Sequence, residues 1–548
     1  IAGTHTHSAP GGYSDYALYN YSIGGWNQGT FEAIVAGIVE AALVAIGSAV
    51  PGRVLLNRGD LYGCGGNRAV AALRRNPEFR AEAPKQTWTD TDMVVLRFVA
   101  DSSPDRDVGM LTWFALHPTS LGMFNRVTSG DNKGWAAMLV ERQMRPVAPG
   151  FVAAFGNANA GDVSGNVSVD DSGELAVRRP FGGERQTTVA ALPRAAPKGD
   201  FEADLAVMRR LGAQQAEFAL RLFHGAEREL SAVVDSRAVF VDMAAAQVGK
   251  VDVDGAGGRE STAAAAYGIS FGAGSTEDGI AFASIGPVDV AIGIPEGMDS
   301  RRTRFGRLGL ITAGATAATC AALALARRRP GLAALMAILP VIAAGAAPAC
   351  RGAAAASIAQ RTLASELPRP TESGVVAGSW EVPPERDWSS DFVQSQAPKP
   401  VMFAAGLTRW RRSDSAAGPE QLCPLAPNVI PVQVLTLGEL GIVAVPAEFT
   451  STAGRRLKRT LHEALAAQVA DTALAGYANG YSGYVTTAEE YSAQLYEGAS
   501  TLYGPHTLAA YQQIVRDLAT ALVACADAPT EPPYVERFAV PMVAASPD

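Results

Sequence analysis

Two of the six histidines in the chain, His5 and His7, lie two residues apart in the segment THTH near its beginning. Side chains on an extended strand alternate between faces with a period of two, so this spacing predicts that both imidazoles share one face. That arrangement suits one metal ligand beside a second polar group. Two incidental histidines on a surface strand would give the same pattern, so the pair alone leaves both interpretations open.

Further polar residues follow apolar runs at two other places. His117 ends the run in WFALHPTS, and Glu448 ends the run in VPAEFTS. Reactive groups of α/β proteins usually lie where strands end in loops. Two histidines and a carboxylate form a usual ligand set for catalytic zinc, with one position left for water. A lone His117 also fits a packed core, and a lone Glu448 fits a helix-capping acid.

The segment GNANAGDVSGN contains a Gly-Asp-x-Ser-x-Asn turn that carries Ser164. Such a turn can expose a hydroxyl together with backbone N–H donors, which suits a nucleophile or an oxyanion-binding loop. It differs from the G-x-S-x-G turn of the α/β hydrolases. An ordinary turn rich in aspartate and asparagine explains the same residues.

The elements that must position these residues alternate between strands and helices. Short β-branched and aromatic runs predict strands in MVVLRFVA and VGMLTWFALHP, and two strands with a tight connection in NVIPVQVLTLGELGIVAVPAEFT. Apolar residues at helical spacing predict helices over 201–231, 451–470 and 507–526. We therefore expect an α/β fold, with a mixed β-sheet core, surrounding helices and a site at strand ends.

Composition narrows the classes of partner. The chain has 548 residues, 48% of them hydrophobic, and a net charge of −8. This charge and the lack of a basic stripe argue against binding to nucleic acid. The five cysteines form no CxxC pair, so neither a zinc ribbon nor a disulfide scaffold is predicted. No obligate protein partner is evident.

Two uncharged apolar runs, 308–326 and 330–350, lie on either side of three arginines. A helix over the first run would reach about 28 Å, close to the thickness of the hydrocarbon core of a bilayer. The runs predict an inserted hydrophobic helical hairpin over 306–350 that spans a membrane or docks on it. Alanine and glycine are only weakly apolar, so a buried helical pair is the alternative.

Six motifs occur in a fixed order along the chain: GTHTHSAPGGY, NRAVAALRRNP, LTWFALHP followed by SGDN, NAGDVSGN, VPAEFTSTAGRRL and GYVTTAEEYSAQLYEGASTLYGPHTL. This series resembles the neutral (alkaline, non-lysosomal) ceramidase family over nearly the whole chain except about 301–357. The resemblance implies an amidase that cleaves ceramide to sphingosine and a fatty acid at a Zn²⁺ ion.

The resemblance also implies roles for ten residues that lie in these motifs. They are the zinc ligands His5, His117, Glu448 and Tyr484, the catalytic residues Ser164, His7, Arg68 and Tyr496, and the substrate-binding residues Asp162 and Asn166.

Two nucleophiles remain open for such an enzyme. Zinc would make water nucleophilic at neutral pH, and Ser164 is the alternative. Arg68 or Tyr496 would stabilise the oxyanion, and His7 would pass a proton to the departing amine, because an amide anion is a poor leaving group.

The same ligands suit a zinc amidase or esterase for another N-acyl lipid. A membrane-held lipid-binding protein with a degenerate site is the non-enzymatic alternative.

Three departures from the family pattern are visible. Gly165 stands where the family usually has proline, which would loosen the turn that carries Ser164. The loop after GDVSGN lacks the cysteine pairs of many relatives. The chain also begins later than the family's catalytic domain and stops before its usual C-terminal β-sandwich module.

These features predict the domain organisation and the location of the protein. Residues 1–305 and 351–548 would form the two parts of one catalytic domain, and 306–350 the insert between them. Because ceramide resides in the bilayer, a membrane surface is the expected second partner. We expect a secreted or membrane-associated protein with an extracytoplasmic catalytic domain. Any signal peptide would lie upstream of Ile1 and is not visible in this sequence.

Overall fold

The computed structural model describes residues 1–14, 16–21, 27–102, 106–122, 125–169, 175–177, 201–249, 260–275, 350–353, 378–381, 389–412, 425–466, 468–526 and 538–541. The hairpin predicted over 306–350 lies outside these residues, except for Cys350 at its end.

The described helices are α1 (Ala17–Tyr21), α2 (Gln28–Gly47), α3 (Val70–Leu73), α4 (Asp131–Met144), α5 (Phe201–His224), α6 (Ile269–Ala273), α7 (Ser390–Ser395), α8 (Ser451–Ala464), α9 (Ala488–Ser492), α10 (Tyr496–Ala499) and α11 (Thr507–Val523). The described strands are β1 (Gly52–Asp60), β2 (Gly66–Asn67), β3 (Asp92–Ala100), β4 (Arg106–Phe114), β5 (Val152–Asn157), β6 (Val163–Ser164), β7 (Val167–Val169), β8 (Leu175–Val177), β9 (Arg228–Glu229), β10 (Val234–Asp242), β11 (Gln247–Val248), β12 (Glu260–Ser261), β13 (Tyr267–Gly268), β14 (Cys350–Ala353), β15 (Gly378–Glu381), β16 (Val401–Phe403), β17 (Arg409–Arg412), β18 (Val429–Leu437), β19 (Leu440–Ala444), β20 (Glu448–Phe449), β21 (Asp471–Ala475), β22 (Tyr484–Val485) and β23 (Phe538–Pro541).

The first large sheet has five strands in the order β5-β4-β3-β1-β9. Its pairs are antiparallel except β4 and β5, which are parallel and are joined through α4. The apolar run of β3 is buried on both faces from Met93 to Leu96, which explains why it reads as a continuous apolar segment. Helices α4 and α5 pack on this sheet and on each other.

The second large sheet has four strands in the order β10-β18-β19-β21. Strands β19 and β21 are parallel and are joined through α8, whereas the other two pairs are antiparallel. Helices α8 and α11 pack together, and their apolar faces join the sheet in one core that includes Leu457, Leu461 and Val515. Each sheet therefore contains one strand-helix-strand unit with a parallel pair.

The carboxyl ends of these two parallel pairs meet. The backbone N–H of Gly476, just after β21, donates to the carbonyl of Asn157 at the end of β5 (3.2 Å), and Gly161 N donates to Phe449 O in β20 (2.8 Å). Ligands of open α/β sheets bind outside the carboxyl ends of strands. The mixed α/β fold expected from the sequence is confirmed, and its strand ends converge on one place.

Most predicted elements form close to their expected bounds. The predicted helices over 201–231, 451–470 and 507–526 begin where expected and end earlier, at His224, Ala464 and Val523. No element was predicted at α2. Within the described part of the chain, α2 is the helix long and apolar enough to cross a membrane, and none of its residues is buried.

Candidate active site

Three histidines converge at the meeting point of the strand ends. Ring nitrogens of His5, His7 and His117 lie within 4.8 Å of one another, and Nε2 of His5 is 3.0 Å from Nε2 of His7. His117 is fully buried, His5 is half-buried and His7 is exposed. The group therefore reaches from the core to the surface, and we call it, together with Glu448, the imidazole cluster.

The beginning of the chain is held by a loop that comes much later in the sequence. Gly3 N donates to Tyr477 O (3.0 Å), and the amino group of Ile1 donates to Asn479 Oδ1 (3.0 Å). The ring of Tyr477 stacks on His5 with centroids 4.2 Å apart. The extended geometry predicted for THTH is wrong at His5, whose φ of 66° is left-handed. The stacked ring, rather than strand alternation, brings the imidazole to the site.

Glu448 joins the histidines from β20, four residues after the end of β19. Its Oε2 lies 2.9 Å from His117 Nε2, and its Oε1 lies 3.4 Å from His5 Nε2 and accepts a hydrogen bond from the Tyr481 hydroxyl at 2.6 Å. Burial alone would raise the pKa of this carboxyl, but His5, His117 and the hydrogen bond from Tyr481 outweigh it and lower the pKa. Glu448 is therefore ionised.

The donor set of the imidazole cluster fits a metal cation. Nδ1 of His117 lies 3.2 Å from Val163 O. Donation of the Nδ1 proton to that carbonyl would leave the Nε2 lone pair, on the side of Glu448, available to a metal ion. His117 Nε2 and Glu448 Oε2 lie 2.9 Å apart, so a proton or a metal ion between them would be bound by both. Burial lowers the pKa of His5 well below its ordinary value, which favours the neutral form that binds metals.

A second group, the arginine cluster, lies beside the first and consists of Arg68, Glu497 and Tyr484. Arg68 Nε donates to Glu497 Oε1 (2.9 Å), and its Nη2 donates to the Tyr484 hydroxyl (2.9 Å) and to Gly161 O (2.9 Å). Burial raises the pKa of Tyr484, and Glu448 raises it further while Arg68 lowers it. Burial likewise raises the pKa of Glu497, whereas Arg68 lowers it.

Tyr496 and Ser164 are two further predicted residues of the site. The guanidinium carbon of Arg68 lies 5.7 Å from the centre of the Tyr496 ring, which meets the Tyr484 ring edge-on with centroids 5.4 Å apart. Ser164 is fully buried in β6, and its Oγ accepts a hydrogen bond from Asn166 N (2.9 Å).

The turn that carries Ser164 is fixed to both halves of the site. His117 N donates to Val163 O (3.0 Å). Asp162 accepts hydrogen bonds from the backbone and side chain of Ser451 at the beginning of α8, both at 2.7 Å, and from Asn67 Nδ2 at 2.7 Å. A Cβ on Gly165 would lie 2.3 Å from His117 O, so glycine permits this close approach of two backbones.

The structure thus gathers the predicted residues in two adjoining clusters and one turn, and it adds three that were not singled out. These are Tyr477 and Tyr481, which contact Glu448, and Glu497, which pairs with Arg68. The tyrosine-rich segment GYSGY was a visible signal for Tyr481. Nothing local in the sequence indicates that Glu497 faces Arg68, because 429 positions separate them.

The chain matches the family described as neutral/alkaline non-lysosomal ceramidase, N-terminal, over residues 1–288 and 350–513. It belongs to this ceramidase family. Among curated relatives, it is 32% identical over 523 residues to a neutral ceramidase of Pseudomonas aeruginosa and 31% identical over 529 residues to one of Mycobacterium tuberculosis. Each alignment covers 95% of this chain but only 59% and 63% of the relative, respectively.

Solved ceramidase structures have the same fold. A structure described as ceramidase complexed with C2 is 30% identical and aligns with a TM-score of 0.65, over 97% of this chain and 63% of the other. A crystal structure of neutral ceramidase from Pseudomonas aeruginosa is 28% identical, with a TM-score of 0.63 over 97% and 62% of the two chains. This chain therefore spans about three fifths of the length of the ceramidases it matches.

Proposed function

We propose that this ceramidase-family protein hydrolyses the N-acyl amide bond of ceramide, giving sphingosine and a fatty acid, and that it uses zinc. The observation that carries the proposal is the convergence of three imidazoles on the buried carboxylate of Glu448 at the strand ends. The names of the matched relatives supply the substrate class, since each curated relative named above is a neutral ceramidase.

The proposed zinc ligands are His5, His117, Glu448 and Tyr484. Support comes from the pKa values of His5 and Glu448, both lowered, and from the contact of His117 Nδ1 with Val163 O. When bound, zinc would polarise the amide carbonyl and make water nucleophilic at neutral pH.

The residues around these ligands have separate tasks in the proposal. His7 is exposed at the outer edge of the cluster, which suits a group that exchanges protons with solvent and protonates the departing amine. Arg68 and Tyr496 lie beside Tyr484 and would donate hydrogen bonds to the oxyanion. Water is the preferred nucleophile, because zinc would activate it at neutral pH, and Ser164 is the alternative. Asp162 and Asn166 remain candidates for substrate contact through the same turn.

The first test measures fatty-acid release from a detergent-solubilised short-chain ceramide. The purified protein is assayed untreated, after chelation and after zinc is restored, with Ser164→Ala in parallel. We expect activity to be lost on chelation and recovered with zinc, and Ser164→Ala to retain measurable turnover if water attacks. Failure to release fatty acid despite bound zinc would contradict the ceramide assignment and favour another N-acyl lipid.

The proposal includes a membrane surface and an extracytoplasmic location, supported by the lipid substrate and by the apolar composition of 308–326 and 330–350. The same assay on vesicles, with and without 306–350, tests this part. Deletion should spare hydrolysis of the soluble substrate and remove hydrolysis on vesicles. Equal loss on both substrates would contradict a role of the insert at the membrane.

A further inference from the structure

Tyr481 makes a short hydrogen bond to the carboxylate of the imidazole cluster. Its hydroxyl donates to Glu448 Oε1 at 2.6 Å, while His117 Nε2 lies 2.9 Å from the opposite oxygen, Oε2. The side chain of Glu448 is 2% exposed, so solvent does not replace either contact. Tyr481 therefore engages the carboxylate on the oxygen that His117 does not contact.

A glutamate needs such a partner to hold one orientation. The terminal torsion of a glutamate side chain is soft and has no sharp rotamer, so the carboxylate plane is fixed by its contacts. Carboxylates that bind metals are themselves hydrogen-bonded, and these outer partners set the orientation and the affinity of the ligand. The Tyr481 hydroxyl contacts Glu448 at a normal O–H···O distance of 2.6 Å, whereas the Tyr477 hydroxyl is 3.4 Å away.

The backbone keeps Tyr481 and Glu448 together. Ser482 donates from its backbone N (2.7 Å) and its side chain (2.9 Å) to Pro446 O, and Glu448 N donates to Gly483 O (3.0 Å). The loop of Tyr481 and the loop of Glu448 are therefore bonded to each other on both sides of the phenol-carboxylate contact. This leaves the phenol little freedom to withdraw.

Tyr477 touches the same cluster in a different way. Its ring stacks on His5, and its hydroxyl is 3.4 Å from Glu448 Oε2, beyond the usual length of an O–H···O bond. The Tyr481 ring instead lies 6.3 Å from His5 and meets Tyr19 edge-on at 5.1 Å. Tyr477 therefore packs against the imidazole of His5, whereas Tyr481 hydrogen-bonds to the carboxylate of Glu448.

We infer that Tyr481 is a positioning residue that orients Glu448 and thereby sets the zinc affinity of the site. The inference rests on the proposed function, because it takes zinc as the ion that Glu448 binds. It assigns no proton transfer and no substrate contact to Tyr481. It acts only through the carboxylate.

The test is the zinc dissociation constant of Tyr481→Phe, measured by competition with a chromogenic chelator. The matched control is Tyr491→Phe, which removes a buried phenol that donates to Gln396 O at 2.8 Å. We expect Tyr481→Phe to bind zinc roughly 10–100-fold more weakly than the unaltered protein, and Tyr491→Phe to bind it unchanged. Cobalt substituted for zinc should show an altered visible spectrum in Tyr481→Phe alone, because its ligand Glu448 has turned.

Melting temperatures of the metal-free variants separate positioning from a general loss of structure, and they should be similar for the two substitutions. Unchanged zinc affinity and cobalt spectrum in Tyr481→Phe, with zinc bound by the unaltered protein, would overturn this inference and leave the proposed function intact. A loss of affinity as large as that of Glu448→Ala would also overturn it, because Tyr481 would then be a ligand. Failure of the unaltered protein to bind zinc would instead refute the proposed function, and the inference with it.

Discussion

The imidazole cluster and the arginine cluster lie at the same strand ends, but their hydrogen bonding is opposite in character. Arg68 donates to three acceptors, the carboxylate of Glu497, the hydroxyl of Tyr484 and a backbone carbonyl. In the imidazole cluster, the two ring nitrogens of His117 face two oxygen acceptors, Val163 O and Glu448 Oε2. A buried network with matched donors stabilises a fold, whereas an imidazole between two acceptors is satisfied at both nitrogens only when each carries a proton or binds a metal ion. The second pattern is therefore the one that suits a metal ion.

The largest expected effect comes from breaking the imidazole cluster at His117. His117→Ala should weaken zinc binding more than ~100-fold. That is the upper end of the loss seen when a residue that only hydrogen-bonds to a metal ligand is replaced. The free energy of unfolding without metal should change less than zinc binding does, because Glu448 keeps its hydrogen bond from Tyr481. Isothermal titration calorimetry measures zinc binding, and urea unfolding of the metal-free protein measures the free energy of unfolding. Zinc affinity within tenfold of the unaltered protein would remove His117 from the ligand set.

Substitution in the arginine cluster should mainly affect the stability of the fold. Glu497→Ala leaves the buried guanidinium of Arg68 without its carboxylate, which should lower the free energy of unfolding by about 3–5 kcal/mol. The control is Glu489→Ala, since Glu489 pairs with Arg456 where both side chains are partly exposed and the loss should be about 1 kcal/mol or less. Urea unfolding measures both. Equal losses would show that the arginine cluster is no more important to the fold than a surface pair.

The smallest effect is expected at the turn that touches both clusters. Gly165→Ala places a Cβ against the carbonyl of His117, and the backbone shift should lower the free energy of unfolding by about 1–3 kcal/mol and weaken zinc binding through His117. Gly134→Ala is the control, because its Cβ would meet nothing within 4 Å inside α4 and alanine favours helices. If both variants were equally stable and bound zinc equally well, the turn would be able to shift and accept the added methyl group.

Much of the fold was predictable because its long elements carry simple patterns. The amphipathic stripes of α5, α8 and α11 and the apolar runs of β3 and β4 are visible in the sequence. Helix α2 was not predicted, because apolar residues cover all its faces and leave no stripe to detect. The amphipathic helices and the short apolar strands were therefore predictable, whereas α2 carries neither pattern.

The candidate site was predictable as a set of residues but not as a geometry. Motifs indicated His5, His117 and Glu448, yet the left-handed backbone of His5 and the stacking of Tyr477 depend on contacts between the two ends of the sequence. The pairing of Arg68 with Glu497 has the same origin. Local patterns carry no information about partners that only the completed fold brings together.

The bond between Ile1 and Asn479 joins residues 478 positions apart, and this has a consequence for the order of events during synthesis. The histidine pair is synthesised hundreds of residues before the loop that holds it. Contacts of such sequence separation form late in folding, so nascent chains contain histidines without a site. The imidazole cluster is therefore complete only after segments far apart in the described chain have come together.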